Sequence, residues 1–444
     1  MFKQTIVYSN EIEDRLLVPF YIAKQLVKKY NLTLGDIAKQ ITNGIDLRNF
    51  IKEGTLYFRI SDIKRGQMNF LTAKKVKEKI NEVPKKILIR RGDLLMSRKG
   101  TPGVTTLATE LEEQSIIGTE IIKITIKEDS KILPEFLFAF LNHKFGFNQV
   151  LSKLTGTVSR GINHPALKSI RVPEADYSKQ KLIADKVKRV FEKHVLAISK
   201  IEEAKKLFEE ALDINYNEID EEKIYNVSST DLSDILTPKF YYPKYLNTLK
   251  ALKKKFRTIK LGDISDIQRG EEVGSKNYHT FSIKSDSDIP FIRTSDLVNY
   301  EIDDYPDYYI DEETYKDLEQ DLRVGDIVYT KDGKIGLSAI LTNEDKCILA
   351  SGLARIRITK IFNPYYAFLV LSTNIGYYQV SQRIVIAATL PHLQQDRLAE
   401  IEIPIINNQV QKEISELVAE AFRLKTEKKK LFREALTKIE ELLK

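Results

Sequence analysis

A chain of 444 residues with 42% hydrophobic content can bury sizeable cores and exceeds what one ordinary domain encloses, so two or three domains are expected. Its 70 Lys and Arg against 63 Asp and Glu leave a net charge of +7, a mild excess that admits nucleic acid as a partner without requiring it. The single cysteine, Cys347, excludes an internal disulfide framework and a cysteine zinc cluster. No apolar run approaches the roughly 20 residues of a membrane span, and the start, MFKQTIVYSNEIEDR, lacks a secretory pattern, so a soluble cytoplasmic protein is expected.

Along the chain the sequence repeats itself. Leu34-Gly35-Asp36-Ile37 returns as Leu261-Gly262-Asp263-Ile264, and Arg59-Ile60-Ser61-Asp62-Ile63 as Arg293-Thr294-Ser295-Asp296-Leu297. RGDLLMSRKG from Arg91 returns as VGDIVYTKDG from Val324, PEFLFAFLN from Pro134 as PYYAFLVLS from Pro364, and LFEEAL from Leu207 as LFREAL from Leu431. Most offsets drift by a few residues, as loop insertions would cause. Phe191 to Leu207 is 16 residues whereas Phe422 to Leu431 is nine, a loss of seven. Two helical turns can be lost without rotating a buried face, so this gap predicts a shortened helix in the second copy. A similar step follows the match of Phe20-Tyr21 to Phe240-Tyr241.

Within one copy, the runs Ile87-Leu88-Ile89, Asp93-Leu94-Leu95-Met96 and residues 121–126 are β-branched or aliphatic and bounded by turn residues, which predicts strands. Pro134 opens an apolar stretch with Pro in its first turn, which predicts a helix. The globular part is therefore α+β, with a partner from Leu261 to Pro404. After Pro173, Ile183, Val187, Val190, His194, Ala197, Ile201, Ala204, Phe208 and Ala211 alternate at spacings of four and three, the seam of a coiled coil about 50 Å long. Ile414, Leu417, Val418, Ala421, Leu424, Leu431, Ala435, Ile439 and Leu442 repeat it. His194 reads as a core histidine. The expected order is a first domain over 1–175, a long helix over 176–213, a second domain over 214–405 and a final helix over 406–444. The economical arrangement is an antiparallel helix pair with pseudo-twofold symmetry.

Catalytic and metal-binding patterns are absent: no GxxxxGK[ST] loop, no HExxH and no His/Cys ligand cluster. Asn363-Pro364-Tyr365-Tyr366 looks like the element by which amino-methyltransferases hold a target base. Its counterpart, Leu133-Pro134-Glu135-Phe136, keeps only the helix-starting Pro, so both read as helix starts.

The loops hold the polar residues that phosphate and base-edge contacts need. In the first copy the candidates are Lys39, Thr42, Asn43, Arg59, Ser61, Lys64, Arg65, Ser97, Arg98, Lys99, Thr101, Lys153, Thr155, Thr157, Ser159 and Arg160. In the second they are Gln268, Arg269, Lys276, Asn277, Arg293, Ser295, Lys331, Lys334 and Arg383. Exposed turns would show the same composition, but these recur at matching places with differing residues.

Taken in order, the LGDI entries, RISDI and RTSDL, SRKGTPG and TKDGKIG, and the joins IRVP…QKLIADKV and IEIP…QKEISELV resemble the specificity (S) subunit of type I restriction-modification enzymes over nearly the whole chain. The resemblance implies two target recognition domains, each reading half of a split DNA site. It implies an antiparallel coiled coil that sets the spacer and docks two methyltransferase (M) subunits, which bind S-adenosylmethionine and methylate adenine. Restriction (R) subunits would add translocation and cleavage. The chain itself would hold no metal or cofactor and catalyse nothing. A coiled-coil assembly adaptor without DNA specificity is the competing reading, and a self-contained methyltransferase resting on Asn363 to Tyr366 a third.

Overall fold

The computed structural model describes residues 30–156, 160–214, 224–232, 236–274, 279–280, 288–360, 362–387 and 390–443. Two compact units emerge, Met1–Val195 with Glu427–Lys444 and Leu196–Thr426, so each takes part of both long helices.

In the first unit an antiparallel sheet runs in the order Ala38–Asn43, Ile121–Ile126, Leu94–Ser97, Thr105–Leu107. Its second strand is the isoleucine run IIKITI, whose branched side chains suit a pleated surface packed on both faces. Its one charged residue, Lys123, is buried but matched: its ammonium lies 3.3 Å from Asp93 and donates to the Leu88 carbonyl at 2.7 Å. A second sheet orders Phe50–Ile51, Lys74–Val76, Thr55–Phe58 and Ile116–Ile117, with the last pairing parallel. Phe58, Ile63, Met68, Leu95, Ile117 and Ile121 form one core cluster. Each such side chain contributes roughly 1.5–3 kcal/mol when fully buried.

The second unit repeats this topology. Ser265–Arg269, Leu353–Ile358, Ile327–Thr330 and Ser338–Ile340 make the antiparallel sheet; His279–Thr280, Tyr308–Ile310, Ile289–Ile292 and Ile348–Leu349 make the other, again closing on a parallel pair. Ile292, Leu297, Ile302, Val328, Leu349 and Leu353 pack together, counterparts position by position of the first core.

Pro134–Asn142 and Pro364–Leu371 are helices with Pro in the first turn. Asn363 is an N-cap whose side-chain oxygen accepts from Tyr365 N at 2.9 Å, while the buried Tyr366 hydroxyl donates to the Pro404 carbonyl at 2.8 Å. The methyltransferase-like tetrapeptide is thus occupied with starting and anchoring a helix.

Gln149 and Gln379 tie the following helices to the segment that closes each domain, an isolated bridge at Arg171 in the first and strand Glu402–Ile405 in the second. Gln149 accepts from Arg171 N at 2.9 Å and donates to the Arg171 carbonyl at 3.0 Å; Gln379 does the same with Glu402 at 2.8 and 2.9 Å. A buried primary amide paired this way acts as a one-residue strand.

The long helices, Tyr177–Leu212 and Asn408–Leu443, are 36 residues each. The expectation of a shorter second helix is corrected. The seven-residue gap moves LFREAL two turns inward, and TKIEELL continues the helix beyond it. Ile183, Val187, Val190, His194, Ala197, Ile201, Ala204 and Phe208 are buried, as are Ile414, Val418, Ala421, Leu424, Leu431, Ala435 and Ile439. Ala211, Leu417 and Leu442 are only half-buried. In the first unit the two segments run antiparallel, since Lys186 pairs with Glu434 and Lys193 with Glu427, both at 2.6 Å: seven residues forward in one, seven back in the other. Gln180 and Gln411 fasten the helix starts by donating to the Ala175 and Ile406 carbonyls, each at 2.8 Å.

One expected strand is absent. Lys85–Ile87 is a 3-10 turn and Leu88 makes only an isolated bridge to Ile116. Pro84, which fixes its own φ, opens the turn, and Ile87 and Ile89 are buried as single anchors. Helix Pro243–Lys255 occupies the stretch after Phe240-Tyr241; Phe20-Tyr21 lies outside the described residues.

Candidate nucleic-acid interface

The loops RISDI and RTSDL, which recur closely, each bury their Asp while Ser61 and Ser295 stay exposed. Asp62 is fully buried and accepts from Arg59 N at 2.9 Å, the Arg59 guanidinium at 3.0 and 3.1 Å, and the Thr72 hydroxyl at 2.6 Å. Asp296 is equally buried and accepts from Arg293 N at 2.9 Å and the Ser295 hydroxyl at 3.1 Å. Arg293 turns its guanidinium to Asp307 at 3.3 Å, over the Tyr308 ring at 4.0 Å. The recurrence of Arg59, Ser61, Arg293 and Ser295 therefore records a shared capped turn. Beyond it, Lys64 ends strand Ile63–Lys64 half-buried, and Arg65 donates to the Asn142 carbonyl at 3.2 Å over the Phe147 ring.

The loops after Leu94–Ser97 and Ile327–Thr330 share one closure. The Ser97 hydroxyl donates to the Thr101 carbonyl at 2.5 Å and accepts from Val104 N at 3.0 Å. Thr330 donates to the Lys334 carbonyl at 2.6 Å and accepts from Leu337 N at 2.9 Å. Gly100 and Gly333 take φ of +68° and +66°, the left-handed conformation these tight loops require. Ser97 is buried and closes the loop from inside, while Thr101 is half-buried at its tip.

Each loop is backed by a second element. Thr155 and Gly161 exchange backbone hydrogen bonds at 2.9 and 3.0 Å, and Ile162 N donates to the Arg98 carbonyl at 3.1 Å. In the second unit Val385–Ala387 pairs with Leu390–His392, and Leu393 N donates to the Lys331 carbonyl at 2.8 Å. Two equivalent platforms result, and their side chains differ. On the first, Arg98 and Lys99 sit 3.7 and 3.3 Å from Glu120, while His164 Nε2 meets the Asn43 side-chain oxygen at 2.8 Å. Burial, then the Arg98 and Lys168 charges, hold the His164 pKa below its usual value, which favours a neutral ring able to donate and accept. On the second, Lys331 is buried beside Asp332 at 3.4 Å, Asp332 pairs with His392, and Lys334 is exposed.

Of the remaining candidates, Lys39 pairs with Glu128 at 2.8 Å and the Thr42 hydroxyl donates to the Asn43 carbonyl. Lys153 follows helix Lys144–Ser152 as its C-cap, and Arg160 is exposed beside Gly161. Gln268 donates to Asp266 and Arg269 pairs with Glu272, both at 3.2 Å. Arg383 is turned inward to the Gln379 carbonyl and Glu400. Thr157, Ser159, Lys276 and Asn277 lie outside the described residues. The structure thus gathers Asn43, Arg98, Lys99, Thr155 and Arg160 around one platform and Lys331 and Lys334 at the other. Sequence reading missed His164, Glu120 and His392. The Asn163-His164-Pro165 start of a short helix, with Asn163 accepting from Ala166 N at 2.9 Å, was the available signal for His164.

Among the described residues no cluster of His, Cys, Asp or Glu could hold a metal, and no helix is long and apolar enough to cross a membrane.

The chain matches the type I restriction modification DNA specificity domain twice, over residues 28–206 and 253–433. Among solved structures it is similar to the type I restriction-modification system S subunit from M. genitalium, at 16% identity over 94% of this chain and 96% of that one, with a TM-score of 0.35. It is also similar to the HsdS subunit from Thermoanaerobacter tengcongensis, at 18% identity over 92% and 95%, with a TM-score of 0.29. Comparison with the curated proteins gives no match. The twofold match covers most of the chain and follows the internal repeat, so this chain belongs to the type I restriction modification DNA specificity family and is a DNA-recognition subunit.

Proposed function

We propose that the chain reads a bipartite, asymmetric DNA site, one half by each recognition unit, as the non-catalytic cytoplasmic member of a methyltransferase complex. The long helices set the unread spacer and dock two M subunits. Those subunits, and not this chain, bind S-adenosylmethionine and methylate adenine; R subunits join in the full complex.

One observation carries this reading: the two platforms have the same backbone closure but different side chains, Arg98-Lys99 with Glu120 and His164 against Lys331-Asp332 with His392. Two identical platforms on a duplex would read a palindrome, whereas two unlike ones read unlike halves. An adaptor without DNA specificity is not favoured, because the matched regions contain the recognition domains themselves.

Methylome sequencing of a strain carrying this chain with its M subunits tests the reading. One methylated motif is expected, split by an unread spacer, with two different halves. A palindromic motif, or methylation by the chain alone with S-adenosylmethionine, overturns it.

A further inference from the structure

The sharpest difference between the units lies away from the platforms, in the stretch that enters each second sheet and leads to the RGD or VGD turn. Residues 74–91 carry eight Lys or Arg against two Glu, net +6, whereas the equivalent residues 308–324 carry two against six Asp or Glu, net −4.

The two stretches also use their charge differently. In the second unit three of the acids serve the fold. Asp311 caps helix Glu312–Leu318 by accepting from Thr314 N at 2.8 Å, and Glu312 pairs with Lys346 at 3.3 Å. Asp321 meets Arg357 and Arg323, whose hydrogen bonds hold its carboxyl at about 2. In the first unit Lys74 leans over the Phe50 ring and Arg91 lies 3.9 Å from Glu110. Lys75, Lys77, Lys79, Lys85, Lys86 and Arg90 are all exposed and make no side-chain ion pair or hydrogen bond among the described residues. Their backbone is nonetheless fixed, because Val76, Val83 and Ile87 are buried together against Tyr57 and Ile116. This is a strap pinned at three points that presents an uncompensated array of cations on a set path.

We propose that the strap over residues 74–91 is a sequence-independent phosphate-binding surface for duplex DNA, which the second unit lacks. It rests on the DNA-reading role proposed above and adds an inequality to it: the first unit holds the DNA backbone where the second does not. Cations that displace condensed counterions give an affinity that falls with salt, by about 0.9 in the slope of log K against log salt for each phosphate contact. Such contacts position a protein without reading bases.

The test measures binding of a random-sequence duplex to the full-length chain across a salt series, for the wild type and for two independent variants, K75Q/K77Q/K79Q and K85Q/K86Q. The same variants, assembled with the M subunits, are scored for the methylated sequence. Expected are slopes shallower by about two to three and about one to two, with the methylated sequence unchanged. Unchanged slopes in both variants overturn the proposal, as does a changed methylated sequence. Unchanged slopes with loss of M subunit binding overturn it in favour of a protein contact. Wild-type protein without preference for any methylated site would instead defeat the functional reading, so the two failures are distinguishable.

Discussion

Phe191 of the first long helix stands edge-on to Phe138 of the domain helix Pro134–Asn142, with ring centroids 5.2 Å apart and planes at 67°. Phe422 and Phe368 repeat the pair in the second unit at 5.1 Å and 84°. All four rings are buried, and edge-to-face packing adds to what burial alone supplies. Truncating a buried Phe to Ala costs about 3–5 kcal/mol. F191A is expected to lower protection of residues 134–142 in peptide-resolved hydrogen exchange, and F422A that of residues 364–371. Equal loss in both segments from either variant would show that the pairs do not act within their own units.

The Ser97 and Thr330 closures give a more local expectation. Removing a hydroxyl that bonds two backbone groups in a buried site costs about 1–3 kcal/mol, enough to reshape a loop without unfolding its sheet. S97A should degrade reading of the first half-site only, T330V that of the second only, and T330S should keep wild-type reading. Methylome sequencing gives all three outcomes, and a variant that alters both halves would refute the assignment of one loop to one half.

His143 sets a pH dependence. It caps helix Lys144–Ser152, its Nδ1 accepting from Phe145 N, and burial, reinforced by the Lys144 charge and opposed by Glu440, holds its pKa down to about 4. The unfolded chain binds this proton near pH 6.5 and the folded one only near 4, so stability rises with pH between them. It is complete above 6.5, falls as pH drops toward 4 and is then level, a loss on the order of 3 kcal/mol. H143N keeps a capping side chain and should flatten this part of the urea-denaturation profile. An unchanged profile would assign the loss to other groups.

Equal helices alter the expected effect of changing the spacer. A heptad removed from one long helix leaves seven residues unmatched, whereas one removed from each at paired positions keeps both seams facing inward. The matched deletion is expected to change the unread spacer and leave both halves of the methylated sequence intact. Altered halves would sink the idea of the helices as a spacer.

Much of the fold was legible because duplication exposed it. Pro134 and Pro364 mark helix starts, and the seams are mostly buried where their spacing places them. The interface was less legible, for a physical reason. Two domains with different recognition surfaces need not share the residues that read, so recurrence alone does not mark a contact with bases. Arg59 and Arg293 recur because Asp62 and Asp296 need a capped turn, while His164 and His392 do not stand at matching sequence positions. Residues 87–89 misled because three aliphatic residues look alike whether they form a strand or anchor a turn. The seven-residue gap misled because a motif can slide along a helix as easily as the helix can shorten.

Several of the contacts common to both units grip backbone. Gln149 and Gln379 hold the amide and carbonyl of one extended residue, Gln180 and Gln411 a carbonyl below the helix, Ser97 and Thr330 the carbonyl across a loop. A clasp of that kind makes no demand on the side chain of the residue it holds. Arg171 can face Glu402 across the repeat, and Thr101 Lys334, with the clasp intact. Mutational drift in the grasped segments is therefore nearly free, and a lineage can explore new recognition chemistry without first relearning how to fold.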